Sequence, residues 1–171
     1  LIGFYHAIMR PVWDRLERPG SAPRVWQASR RRFVSNVLGP HFEQVCRDWA
    51  LHHADPALLG GLPARVGHGT VHDPKTRTGH EVDVAVIGIA DGAKPPLLAI
   101  GEANWNNTMG MAHIDRLRHI RDLVTQAGRY DTSATRLICF SGAGFNDKAH
   151  AVAAADPDVR LIDLAALYGQ A

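Results

Sequence analysis

The stretch that decides the fold is HEVDVAVIG at residues 80–88, followed after a short loop by LLAIGEANW at residues 97–105. Strand alternation puts Val82, Val84 and Val86 on one face and Glu81, Asp83, Ala85 and Ile87 on the other. A carboxylate on so apolar a strand is costly without a partner, so Asp83 demands one. Three strands are expected in this region: Ala64–Val71, His80–Ala90 and Leu97–Ala103. The turn-rich segments Asp73–Gly79 and Asp91–Pro96 join them.

Upstream, Leu1, Phe4, Tyr5, Ile8, Val12 and Leu16 recur at helical spacing, predicting a helix over 1–18 with a kink at Pro11. A punctuated loop, Arg18–Pro23, leads to a basic stretch of Arg24, Arg30, Arg31 and Arg32. The next apolar periodicity runs from Val34 to Leu51, and Gly39-Pro40 interrupts it, so the helix is expected to start at Pro40. Downstream, Asn107 or Thr108 is the expected cap of a helix reaching Ala127, with Gly128 as its stop. A short strand, Leu137–Phe140, follows. Asn146 then caps an alanine-rich helix that ends before Pro157, Val159–Ile162 forms a last strand, and Asp163 caps a terminal helix. Three consecutive strands followed by helix–strand units predict an α/β chain: a mixed β-sheet flanked by helices.

Composition narrows the class. With 171 residues, 46% hydrophobic and 21% charged, the chain can bury a core and is neither disordered nor low-complexity. A formal charge of +2 does not by itself point to nucleic acid, which only local clustering of basic residues would do. Cys46 and Cys139 stand far apart in apolar surroundings, as expected of reduced buried thiols in a cytoplasmic protein. No apolar run approaches the roughly 18 residues of a membrane span, so no membrane partner is expected. Starting at Leu1 and already amphipathic, the sequence reads as a piece of a longer protein.

Three acids stand out: Glu43 on a helix, Asp83 in the second strand and Glu102 at the end of the third. Asp83 and Glu102 on paired strands can converge at one end of the sheet. One or two carboxylates with a backbone carbonyl and waters is what a hard divalent ion requires, and such an ion polarises phosphoryl oxygens and activates water. Spacing alone leaves a second reading open, in which both acids are tied up by backbone N–H groups or arginines.

Asp83 in HEVDVAVIG with Glu102-x-Asn104 resembles the PD-(D/E)XK signature of restriction-endonuclease-like proteins, and the element order matches the αβββαβ core of that fold. GPHFEQVCRDWA (39–50), GHEVDVAVIG (79–88), GEANW (101–105) and ICFSGAGF (138–145) together resemble the C-terminal domain of archaeal-type ATPases. The resemblance implies a helical extension at 1–33, leading from an upstream P-loop ATPase and winged-helix part, and a restriction-endonuclease-like domain at 34–171. It makes Glu43, Asp83, Glu102 and Asn104 the catalytic set, with Asp83 and Glu102 holding Mg²⁺ or Mn²⁺. DNA and the ATPase part of the same polypeptide are the implied partners. Asn104 stands where the pattern has lysine, so it keeps hydrogen bonding but lacks the charge that would orient water or neutralise phosphate. His80, Arg116 or Arg118 are candidates to supply that charge. The alternative is a degenerate pseudonuclease, or an interaction module regulating the ATPase.

Arg30, Arg31, Arg32 and Arg116 are the candidate nucleic-acid contacts. Ser141-Gly-Ala-Gly144 lacks a following Gly-Lys-Ser/Thr and is not a P-loop. Ten histidines occur without a Cys-x₂-Cys partner. His68 and His72 sit too far apart along a strand for one tetrahedral ion, and His52-His53 suits a helix end. The histidines therefore read as solvated side chains.

Overall fold

A computed structural model describes residues 1–92 and 94–169. The chain divides into two compact units, Leu1–Phe42 and Glu43–Ala171.

The first unit is helical. Short helices α1 (Ile2–Phe4) and α2 (Trp13–Leu16) are joined by a π-helical turn, Tyr5–Met9, and a 3₁₀ turn, Arg10–Val12. Pro11 lies in the 3₁₀ turn, where its missing N–H costs least, and Val12 leaves helical geometry at φ −133°. The expected kink is there. Helix α3 (Ala22–Phe33) carries Trp26 and Phe33 against Phe4, with ring centroids 5.2–6.3 Å apart. A π-helical turn, Val34–Leu38, follows, and α4 (Gly39–His52) continues from it. The helix starts within one residue of the expected Pro40, but the expected interruption at Gly39-Pro40 does not occur. The Gly39 N–H reaches back to the Val34 carbonyl, and this widened turn carries the chain helically through Gly39-Pro40 without a break.

The second unit is a five-stranded sheet. After α5 (Pro56–Leu59) come β1 (Pro63–Asp73), β2 (Thr78–Gly88) and β3 (Leu97–Asn104). Then α6 (Met111–Ala127), β4 (Arg136–Ser141), α7 (Asp147–Ala155), β5 (Val159–Ile162) and α8 (Leu164–Leu167) complete it. Strand order is β1-β2-β3-β4-β5; the first two pairings are antiparallel and the last two parallel. A mixed open sheet in an α/β arrangement is what three consecutive strands and two helix–strand units require. On one face, Ile114, Leu117 and Ile120 of α6 and Ala149 of α7 pack with Leu97, Ile100, Leu137 and Cys139. On the other, Trp49 of α4 meets Phe140 edge-on at 5.8 Å.

Face assignment along β2 differs from strict alternation. Three β1 residues, Gly67 to Gly69, oppose four of β2, Ala85 back to Val82. The extra residue is a bulge, and it reverses the faces of everything beyond it. Val82 therefore joins Ala85 and Ile87 in the α6-side core, while Val84 packs against the face that holds Phe140. Asp83 sits at the bulge.

Local caps follow composition. The Asn146 side chain accepts the Ala149 N–H and the Asp163 side chain accepts the Ala166 N–H. Asn146→Ala is expected to cost about 1 kcal/mol, readable as a lowered unfolding midpoint. Helix α6 begins later than expected. Its cap is Gly110 and not Asn107 or Thr108, with the His113 ring nitrogen accepting the Gly110 N–H at 3.1 Å. Gly128, at φ 67°, ends it as its sequence position predicts.

Candidate acidic site

The β2–β3 ladder stops at Val84–Gly101, and past it the two strands part. The Asp83 side chain fills the gap: Oδ2 accepts the Ala103 N–H at 2.9 Å, replacing the backbone partner that the ladder no longer provides. Glu102 is the next residue back along β3, on the α6 side. Its Oε2 lies 2.8 Å from Nη1 of Arg116, and the Arg116 Nη2 donates to the Glu81 carbonyl at 3.0 Å. Despite the short ion pair, Glu102 Oε2 is buried without a directed hydrogen bond. Asp83 and Glu102 thus stand on adjacent strands at the same end of the sheet.

Helix α4 supplies the other wall. Arg47 Nη1 donates to the Asp83 carbonyl at 2.8 Å and lies 3.8 Å from Glu43 Oε2. Burial pushes the Asp83 carboxyl above its ordinary range; Glu102 adds to this, while the Ala103 N–H and Arg116 oppose it. Glu43 is raised as well, first by burial and then by the Asp83 charge, with Arg47 opposing. Three acids therefore share one electrostatic neighbourhood, linked through Asp83 and balanced by two arginines.

Asn104 has a local task. Its Oδ1 accepts the N–H groups of Asn106 and Asn107, at 3.1 and 3.0 Å, and turns the chain out of β3. Arg30, Arg31 and Arg32 are exposed on α3 in the first unit, whereas Arg116 is the counter-ion of Glu102. Arg118 pairs with Asp115 and Asp156. Both thiols are free and buried, and burial raises that of Cys139 to about 12, leaving it without thiolate chemistry at neutral pH. A cleft of about 620 Å³, lined by Arg65, His68, His72, Leu123 and Tyr130 among others, includes none of Glu43, Asp83, Glu102 and Asn104. Sequence reading missed Arg47, whose contact with Asp83 spans 36 positions and leaves no local pattern.

A divalent ion can be set against these atoms. Glu102 Oε2 and the Asp83 carboxylate are hard oxygen donors of the kind a divalent cation takes. Arg116 already provides a positive charge at that oxygen, so an ion there would share or displace it.

These features define an α/β protein with a five-stranded mixed open sheet and an acidic site at the end of its second and third strands. Comparison with protein-family models, with curated proteins and with solved structures finds no match. Among the described residues, no helix is long and apolar enough to cross a membrane.

Proposed function

We propose that this chain is a restriction-endonuclease-like domain of a larger ATP-binding polypeptide, in which Asp83 and Glu102 hold Mg²⁺ or Mn²⁺ for phosphodiester hydrolysis on DNA. One observation carries the reading: two acids from adjacent strands stand where the β2–β3 ladder ends, near enough that the Glu102 charge helps raise the Asp83 carboxyl. Bound there, a divalent ion would supply Lewis-acid polarisation of phosphate and a more acidic water. The chain's own residues do the rest. The Ala103 N–H fixes the Asp83 carboxylate, Arg47 steadies the backbone beneath it, and Glu43 adds a third acid within electrostatic reach. Arg116, released from Glu102, is placed to meet a phosphate oxygen. Arginines 30–32, exposed on the first unit, are by themselves candidate phosphate contacts of a kind that carries no sequence preference.

A second reading has its own observation. The Asn104 oxygen is committed to the turn and Arg116 neutralises Glu102, which is how a degenerate, metal-free site would be held together. Such a domain would bind DNA or regulate its ATPase without cutting.

The test is cation-dependent stabilisation followed by plasmid cleavage. Millimolar Mg²⁺ or Mn²⁺ should raise the unfolding midpoint of the wild type. Asp83→Asn, which retains an acceptor for Ala103, should lose that shift. Wild-type cleavage should be slow, and Asn104→Lys faster by about 10²-fold, since one placed donor is commonly worth that much. Lysine sacrifices both turn hydrogen bonds, so its rate is compared at equal folded fraction. An unchanged shift in Asp83→Asn would place the ion elsewhere. No shift in the wild type, with salt-dependent DNA binding retained, would establish the degenerate reading.

A further inference from the structure

We propose that Asp73, His80 and His119 form a second cation site, built for a borderline divalent transition ion such as Zn²⁺ and separate from the Asp83–Glu102 pair. One ligand atom from each of the three lies within 4.8 Å of the others. They come from three elements: Asp73 closes β1, His80 lies near the start of β2 and His119 is on α6.

Asp73 is prepared for the role. It is only 4% exposed, and its Oδ1 accepts the N–H groups of Lys75 and Thr76 at the head of the β1–β2 turn. Those bonds anchor one carboxylate oxygen at the turn. They also fix the orientation of Oδ2, which lies 3.4 Å from His119 Nε2. Two ligand atoms at tetrahedral positions on zinc, with bonds of about 2.0–2.1 Å, sit roughly 3.3–3.4 Å apart. That edge already exists. The His80 and His119 rings stand 5.1 Å apart and nearly perpendicular, and a His80 ring nitrogen lies within 4.8 Å of both other ligand atoms. His80 Nε2 lies 3.5 Å from Thr78 Oγ1, an outer partner of the kind that sets which ring nitrogen is free to ligate.

Ligand chemistry selects the ion. Two imidazoles with one carboxylate suit Zn²⁺, Co²⁺ or Fe²⁺, whereas Mg²⁺ prefers all-oxygen surroundings. Three protein ligands on a partly exposed site leave at least one position for water, the arrangement of reactive rather than structural zinc. A histidine–aspartate ion pair without metal is the competing explanation, and affinity separates the two.

The experiment uses the untagged chain, stripped with chelator and titrated with Co²⁺ while its visible absorption is followed, then with Zn²⁺ in competition. One equivalent of Co²⁺ should bind, be displaced by Zn²⁺, and resist excess Mg²⁺. His119→Ala alters a side chain that is 48% exposed and leaves the hairpin intact; it should weaken binding at least about tenfold, as even outer-shell losses do. His80→Ala should do the same, and Asp83→Asn should bind as the wild type does. Absence of binding, or His119→Ala and His80→Ala that both bind like the wild type, overturns the site.

Discussion

Arg116→Ala is expected to destabilise the sheet unit by about 1–3 kcal/mol, and Mg²⁺ is expected to restore most of the loss. Glu102 is 14% exposed at its side chain and Arg116 36%. Removing one partner of a fully buried pair costs about 3–5 kcal/mol, because the other charge is left uncompensated. The exposure of Arg116 lets water reach the gap, which lowers the figure. The same variant takes a donor from the Glu81 carbonyl and a positive charge from beside Asp83. Arg116→Lys should recover part of the stability, since an ammonium keeps the charge but cannot serve both acceptors with a planar fork. If Asp83 and Glu102 hold a divalent ion, that ion gains affinity once its competitor is gone, so chemical denaturation with and without Mg²⁺ reads the difference directly. A variant that Mg²⁺ leaves equally unstable would mean that Arg116 is the permanent counter-ion of a metal-free site.

Much of this arrangement is legible in the residues, and the boundary has physical causes. HEVDVAVIG and LLAIGEAN read as adjacent strands because apolar alternation is a local property. Caps at Asn146 and Asp163, and the stop at Gly128, are equally local, each set within three residues of the helix end. The bulge opposite Gly67–Gly69 is not legible, because a one-residue slip belongs to the pairing of two strands and marks neither alone. Continuity through Gly39-Pro40 is hidden for a different reason: a π-helical turn satisfies what an α-helical turn could not, and propensities assume the latter. Spacing pointed to Asp83 and Glu102 at one end of the sheet and to Arg116 as a charge beside them, but not to Arg47, which arrives from α4. Asp73, His80 and His119 escaped as a cluster because they come together only in the fold. Zinc patterns are recognisable when ligands share an element, and here each ligand belongs to a different one.

Asp83→Asn is expected to raise the unfolding midpoint by about 2–4 °C at pH 8, the change that roughly 1 kcal/mol produces at this size. Asparagine retains an oxygen for the Ala103 N–H, so the end of β3 stays anchored while the charge between Glu43 and Glu102 disappears. Direction in pH follows from linkage. The Asp83 carboxyl titrates above its ordinary value in the folded chain, so between the two values the native state binds more protons than the unfolded state, and stability falls as pH rises. Below the ordinary aspartate value of about 3.9, Asp83 is protonated in both states and the penalty is absent. The advantage of Asp83→Asn should therefore be negligible in strong acid, open as pH climbs through and beyond the ordinary carboxylate range, and level off once wild-type Asp83 is ionised. Glu43 moves with it, because the Asp83 charge is the second cause of its own raised value. Saturating Mg²⁺ should close the gap from the other side by stabilising only the wild type, which ties an acid-strained site to the ion that relieves it. A variant less stable than the wild type at every pH would mean that the carboxylate's contacts outweigh its repulsions, and that the site is a strut for the strand ends with no stored demand for a cation.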